Sequence, residues 1–292
     1  AIDDALRARK GLPVAPQITG TIPVRLTLPI GRTGPGKPPI RVEADLTRMG
    51  SDGLLPGVTK AVGKAGRASF TVSEGANGNQ DLRDLVVDAG PLMARGSASL
   101  NGDGGLERAD LTALKLSPGD DMRVQVDRTG GNAYRVAVRG AVADARPFLR
   151  GLGGPDVKGA RDANPKDVEA DLSLGIVSGF NGESLTNASA KLSLRGRDLR
   201  SGRVQGKFSS APFSAQVTHT DRGASSVTIE TLDAGSTLRF ADIYKRMYGG
   251  KLIMTSALND GPQPGSVQIR NFILRNEPAL SSIMAQGPAT SE

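Results

Sequence analysis

Five kinds of chemistry can be sought from residue types and spacing, and the chain supplies little for any of them. Thiolate chemistry and disulfides need cysteine, and there is none. A histidine-built metal centre needs two or three imidazoles, but the sequence has one, His219, inside the polar run Thr218-His219-Thr220. Gly96-Ser97 offers a serine after a glycine, yet His219 would be its only general base and lies far along the chain. Adjacent carboxylates occur at Asp3-Asp4 and Asp120-Asp121, in terminal and turn contexts where solvation explains them better than acid–base work. Gly102-Asp103-Gly104-Gly105 lacks the Lys-Ser/Thr of a phosphate loop and reads as a turn. The expectation is a protein that is not an enzyme, with no catalytic residue, no cofactor and no metal site.

The elements that would have to position any site read mostly as strands. Ile22, Val24, Leu26 and Leu28 alternate with polar residues, as do Ile40, Val42, Ala44 and Leu46. Ala68–Val72, Leu82–Val87, Leu92–Leu100, Leu106–Leu116, Met122–Val126 and Tyr134–Val138 follow at short spacing. Turn signals such as Asn101-Gly102 and Pro118-Gly119-Asp120 separate them. Ser51–Gly66 reads as turn-rich. The second half repeats this style, with strands over Val168–Ile176, Leu185–Leu194, Arg203–Phe208, Phe213–Val217, Ser226–Thr231, Lys251–Leu258 and Ser266–Leu274.

Helical signals are few. Asp144–Leu152 predicts a helix of about two turns started by Asp144. Ala1–Lys10 and Glu277–Met284 predict short helices at the two ends. The clearest signal is a helix over 236–248, capped by Asp233 or Ser236 and ended by Gly249-Gly250. It places Phe240, Ile243, Tyr244 and Met247 on one face. Val157–Pro165 is polar and glycine-containing. It marks either a boundary between an N-terminal β-rich segment, 1–156, and a C-terminal one, 157–292, or a loop within one continuous sheet.

With aromatics at 3% and no tryptophan, packing must rely on Val, Leu, Ile and Ala, which suits thin layers. The net charge of +7 is spread along the strands, which fits solvated sheet faces better than a nucleic-acid surface. No apolar run is long enough for a transmembrane helix. The expected fold is therefore mainly β, a long antiparallel sheet with one dry and one wet face. The dry face needs a cover: a second sheet in an ordinary closed core, helices, or apolar ligand in an open trough.

Asp233-Ala234-Gly235 through Phe240, then Tyr244, Met247, Gly249-Gly250 and Leu252, resembles the C-terminal region of AsmA-like proteins, more closely the alphaproteobacterial YhdP-like group. Gly96–Leu100, Asp144–Leu149, Phe180-Asn181-Gly182-Glu183, Asn271-Phe272 and Glu277-Pro278-Ala279-Leu280 fit the same type, so the resemblance spans roughly residues 80–284. It implies a curved or folded-over, taco-like sheet in a large periplasmic protein anchored in the inner membrane. It also implies phospholipid as the partner, moved towards the outer membrane, with other envelope proteins as further partners. Membrane association would run through parts outside these 292 residues. The resemblance supplies no lipid-contact motif, so the groove candidates are chosen on inward strand positions: Val168, Leu172, Leu174, Leu192, Val204, Phe208 and Phe213. Phe240, Ile243, Tyr244 and Met247 would cap or gate that face. The same residues serve equally well in a closed core of a structural or protein-interaction module.

Overall fold

The computed structural model describes residues 17–29, 38–55, 57–151, 165–196, 198–219, 225–258 and 264–278. The end helix expected at 1–10 lies outside these residues, as do all but the first two residues of the one expected at Glu277–Met284. In chain order the strands are β1 (Ile18–Gly20), β2 (Val24–Thr27), β3 (Ile40–Asp45), β4 (Met49–Leu55), β5 (Val58–Lys60), β6 (Gly66–Glu74), β7 (Gln80–Ala89), β8 (Leu92–Leu100), β9 (Leu106–Lys115), β10 (Asp121–Gly130) and β11 (Ala133–Asp144). A short helix, α1 (Arg146–Gly151), precedes β12 (Asp167–Ser178), β13 (Ser184–Arg195), β14 (Asp198–Phe208), β15 (Ala211–His219) and β16 (Ser225–Thr231). Helix α2 (Ala234–Phe240), β17 (Met247–Leu258) and β18 (Gly265–Leu274) complete the described chain.

Fifteen strands form one open, mainly antiparallel sheet running β2-β3-β6 and then in sequence order to β18. β1, β4 and β5 form a separate three-stranded sheet, so Ser51–Gly66 is not simply the turn-rich stretch its composition suggested. The other departure is at the middle. β11 and β12 pair in parallel, from Ala133 beside Asp167 to Asp144 beside Ser178. Parallel neighbours need a crossover, and residues 145–166 supply its length. Hydrogen bonding passes through this joint without a break, so 1–156 and 157–292 contribute strands to the same sheet.

Directly paired residues share a face, so register shows how the alternating sequence becomes a surface. One row of apolar or glycine positions runs from Leu85 in β7 through Gly96, Leu111, Val124, Val138, Leu172, Ala190, Val204, Ala215, Ile229 and Met254 to Val267 in β18. A second row beside it runs from Ile40 through Val72, Ala109, Val136, Ala170, Leu192 and Val217 to Val227. The opposite face carries Asp110, Gln125, Asp171, Lys191, Arg203, Gln216 and Thr228 across the same strands.

A line of bulges crosses this surface. Register slips fall at Asp84 in β7, near Thr112 in β9, at Ala141 in β11 and at Asn187 in β13. Asp84 and Asn187 take left-handed backbone there, φ 52° and 50°. A bulge adds one residue and reverses the alternation beyond it. In β13 the dry-side residues are Leu194, Leu192 and Ala190 on one side of the slip and Leu185 on the other. The dry face therefore stays dry through a bend. Gly96 belongs to this crease. Its φ is 154°, and a Cβ there would lie 2.0 Å from the carbonyl oxygen of Asp110.

Candidate functional site

The site is built along the two long rims of the dry face, and the rims differ. One rim carries the β7–β8 and β9–β10 turns, the end of β11 and the β12–β13 turn. Three elements stand over it. The small sheet buries Val58 and Lys60 there beside Leu46 and Ala89. Lys60 donates from Nζ to the Met49 carbonyl at 2.8 Å. Helix α1 follows, with Pro147 packed so closely on Gly57 that a Cβ there would meet it at 2.4 Å. Helix α2 comes third. Its Phe240 carbonyl accepts from the Phe180 amide at 3.0 Å, and its Phe240 ring lies where a side chain on Gly179 would have to be. The other rim, formed by the β8–β9, β10–β11 and β13–β14 turns, has no such cover among the described residues.

This asymmetry divides the seven groove candidates, all of which lie on the dry face. Leu174 and Phe208 are buried, 8% and 1% exposed, in a cluster with Met122, Ala143, Leu185 and Ala188. Val204, Phe213 and Phe240 pack against that cluster. Phe208 meets Phe213 and Phe240 edge-on at centroid distances of 5.4 and 5.3 Å. These residues form a packed core under the closed rim. Val168, Leu172 and Leu192 belong to neither core cluster and stay half-buried towards the open rim. The dry rows also continue through Val136 and Val138 into the first half of the sheet, beyond the candidates picked from the sequence. The alternation of Met122–Val126 and Tyr134–Val138 carries the same signal.

The expected helix over 236–248 is corrected. Asp233 caps it, accepting from the Ser236 amide at 2.9 Å, but α2 ends at Phe240. Asp242 turns left-handed, φ 59°, with its carboxylate held by the Asn181 side-chain amide at 3.0 Å and by Lys245 at 3.2 Å. Met247 begins β17, where the ladder to Leu274 outweighs the helical pattern. The four cap candidates therefore do not share a face. Phe240 packs on the Phe208 cluster. Tyr244 and Met247 join a second cluster with Ala234, Leu238 and Leu252. Ile243 is 71% exposed.

Polar groups hold the cap in place. Arg239 bridges α2 to the β12–β13 turn through Glu183 at 2.7 Å, donates to the Met247 carbonyl, and lies 4.5 Å over the Tyr248 ring. The hydrogen bond from Asn181 is the main cause holding the Asp242 carboxyl below its usual range. The Glu277 carboxylate, accepting from the Tyr244 hydroxyl, pushes that phenol above its ordinary value. Asp120 is not the solvated turn residue its context suggested. It is 1% exposed and accepts from the amides of Leu116, Ser117 and Asp144 at 2.8–2.9 Å, tying the β9–β10 turn to β11. Asp3-Asp4 lie outside the described residues. His219 is exposed, 2.8 Å from the Ser225 hydroxyl.

Basic residues are scattered over the wet face, several in pairs such as Arg67–Asp88, Arg108–Asp127 and Arg139–Asp171. What the arrangement offers physically, among the described residues, is a set of half-buried apolar positions outside the two packed clusters, Val168, Leu172 and Leu192 among them. Comparison with protein-family models, curated proteins and solved structures finds no match for this chain.

Proposed function

We propose that this chain is a segment of a periplasmic, bridge-like lipid-transfer protein that carries phospholipid acyl chains along its trough towards the outer membrane, without chemical turnover. The observation that carries this reading is the pair of apolar rows crossing twelve strands each, in which Val138, Val204, Ile229 and Met254 pack on the covered clusters while positions such as Val136, Leu172, Ala190 and Leu192 stay half-buried towards a rim without cover among the described residues. Burying one methylene is worth about 0.8 kcal/mol, so an acyl chain laying down about ten of them gains on the order of 8 kcal/mol. Valine, leucine and alanine rows provide little to grip a single lipid, which favours sliding along the sheet. No helix among the described residues is long and apolar enough to cross a membrane. Anchoring in the inner membrane would be supplied by other parts of the protein.

The packed cluster under the closed rim favours a second reading, a non-enzymatic structural or protein-interaction module of the cell envelope with an ordinary core. Native mass spectrometry of protein purified from membranes, with lipid extraction, separates the two. The first reading expects co-purified phospholipid that is lost from a Leu172→Glu, Leu192→Glu double variant whose melting temperature is nearly unchanged. Protein that is lipid-free in every preparation would sink it.

A further inference from the structure

We propose that a depression on the wet face, over β9, β10 and β11, binds a small zwitterion, an amino acid or dipeptide, with its carboxylate on Arg123 and its ammonium on Asp110. This does not rest on the lipid reading, which concerns the dry face. The depression has a volume of about 640 Å³ and is lined by Asp110, Thr112, Arg123, Gln125, Ala137 and Arg139. Small-molecule sites commonly span about 300–1,000 Å³. Register explains its shape. Asp110, Gln125 and Ala137 lie opposite one another across the three strands, and Arg123 lies opposite Arg139 in the next row. Between Asp110 and Arg203 the first row holds a single short side chain, Ala137, which leaves a low floor. Arg139 reaches across to β12. It donates to the carbonyls of Val138 and Asp171 at 2.9 and 2.8 Å and pairs with the Asp171 carboxylate at 2.9 Å.

Two opposite charges share this depression without meeting. Arg123 faces a second cation across the ladder, which is unfavourable. Asp171 neutralises Arg139, whereas Arg123 has no carboxylate partner among the described residues. Asp110 has no ion-pair partner among them either, because its neighbour Arg108 is committed to Asp127 at 2.7 Å. Gln125 stands between the two, opposite Asp110 and two residues from Arg123. Its amide can donate to a carboxylate or accept from an ammonium. The pair of charges selects the ligand. A phosphate or dicarboxylate would satisfy Arg123 and be repelled by Asp110. An organic cation would satisfy Asp110 and be repelled by Arg123. A ligand with one charge of each sign answers both, and a guanidinium can hold its carboxylate through two parallel hydrogen bonds.

The test titrates the full chain by ligand-observed NMR with L-alanine, L-alanyl-L-alanine, and the dipeptide blocked either as its N-acetyl derivative or as its C-terminal amide. The better of the two free zwitterions should bind about tenfold more tightly than either blocked form, since each block removes one charge-assisted contact. Arg123→Gln should erase the advantage over the amide and keep that over the N-acetyl form; Asp110→Asn should do the reverse. Both side chains are exposed, so neither variant should change the melting temperature. The proposal is overturned if neither zwitterion binds saturably, if a blocked form binds as well as the free one, if the two variants leave the selectivity unmoved, or if inorganic phosphate binds more tightly than both zwitterions.

Discussion

Asp120 shows what a single carboxylate contributes to this sheet. With three backbone amides donating to it, Asp120→Ala would strand those donors at a part-buried junction, costing on the order of 3 kcal/mol. Urea unfolding would read this directly, and Asp120→Asn should recover only part of the loss. Phe208→Ala, under the closed rim, should cost about 3–5 kcal/mol because the cavity is lined by Phe213, Phe240 and Leu185. The same measurement on Leu192→Ala should show a much smaller loss, since that side chain is only half-buried. Asp144 adds a pH dependence. Its pKa is lowered, first by the two-pronged hydrogen bond from Arg146 at 2.9 and 2.7 Å. A depressed carboxylate contributes fully above the ordinary aspartate value of about 3.9 and loses its contribution as pH falls through the lower folded value. Melting temperature should therefore drop in acid more steeply for the native chain than for Asp144→Asn.

At the level of elements, α2 is a brace more than an amphipathic helix. Its seven residues would be marginal alone; Asp233 caps its start, and Arg239 and Phe240 each tie it to another part of the fold. Removing the guanidinium in Arg239→Ala leaves Glu183 without its partner. For a part-buried pair the loss should be about 2 kcal/mol. Hydrogen exchange should then quicken in 234–242 and 179–183 together, and not in β2–β9. Most strands of the large sheet were legible in the sequence, and Asp233 was one of the two cap candidates for α2, because alternation and N-capping are local; β4 and β5, in the stretch read as turn-rich, were not. The end of α2 was not, because Phe240, Ile243, Tyr244 and Met247 keep a helical period while the ladder to β18 claims Met247. The crease was hidden for a related reason. A bulge such as that at Asn187 exchanges odd for even positions inside one strand, and a run like Leu185-Thr186-Asn187-Ala188 then simply looks irregular. The closed rim was least legible, since it depends on contacts such as Gly57 with Pro147 that join distant parts of the chain. Of the groove candidates, sequence found the face, and the structure divided it into Leu174 and Phe208 under cover and Val168, Leu172 and Leu192 beside the open rim.

Across the whole molecule, each strand of the large sheet leans mainly on its two ladder neighbours, so the sheet is nearly one-dimensional. Damage at one end should stay local. Gly96→Ala, which drives a Cβ into the Asp110 carbonyl, should destabilise by at least about 2 kcal/mol. Exchange protection should be lost in β7–β10 first and in β15–β18 last. The parallel joint gives this ladder an order of assembly. From β6 to β11, and again from β12 to β18, neighbouring strands in the sheet are neighbours in the chain, so each can zip on locally, through a short connection or, between β16 and β17, through the segment that holds α2. The β11–β12 pairing has no such shortcut, because every partner in it lies equally far along the chain, from Ala133 with Asp167 to Asp144 with Ser178. Loop closure must come before any of those bonds repay it. Two meanders should therefore form quickly and join slowly, giving two refolding phases, of which Leu172→Ala, at the joint, should slow only the later one.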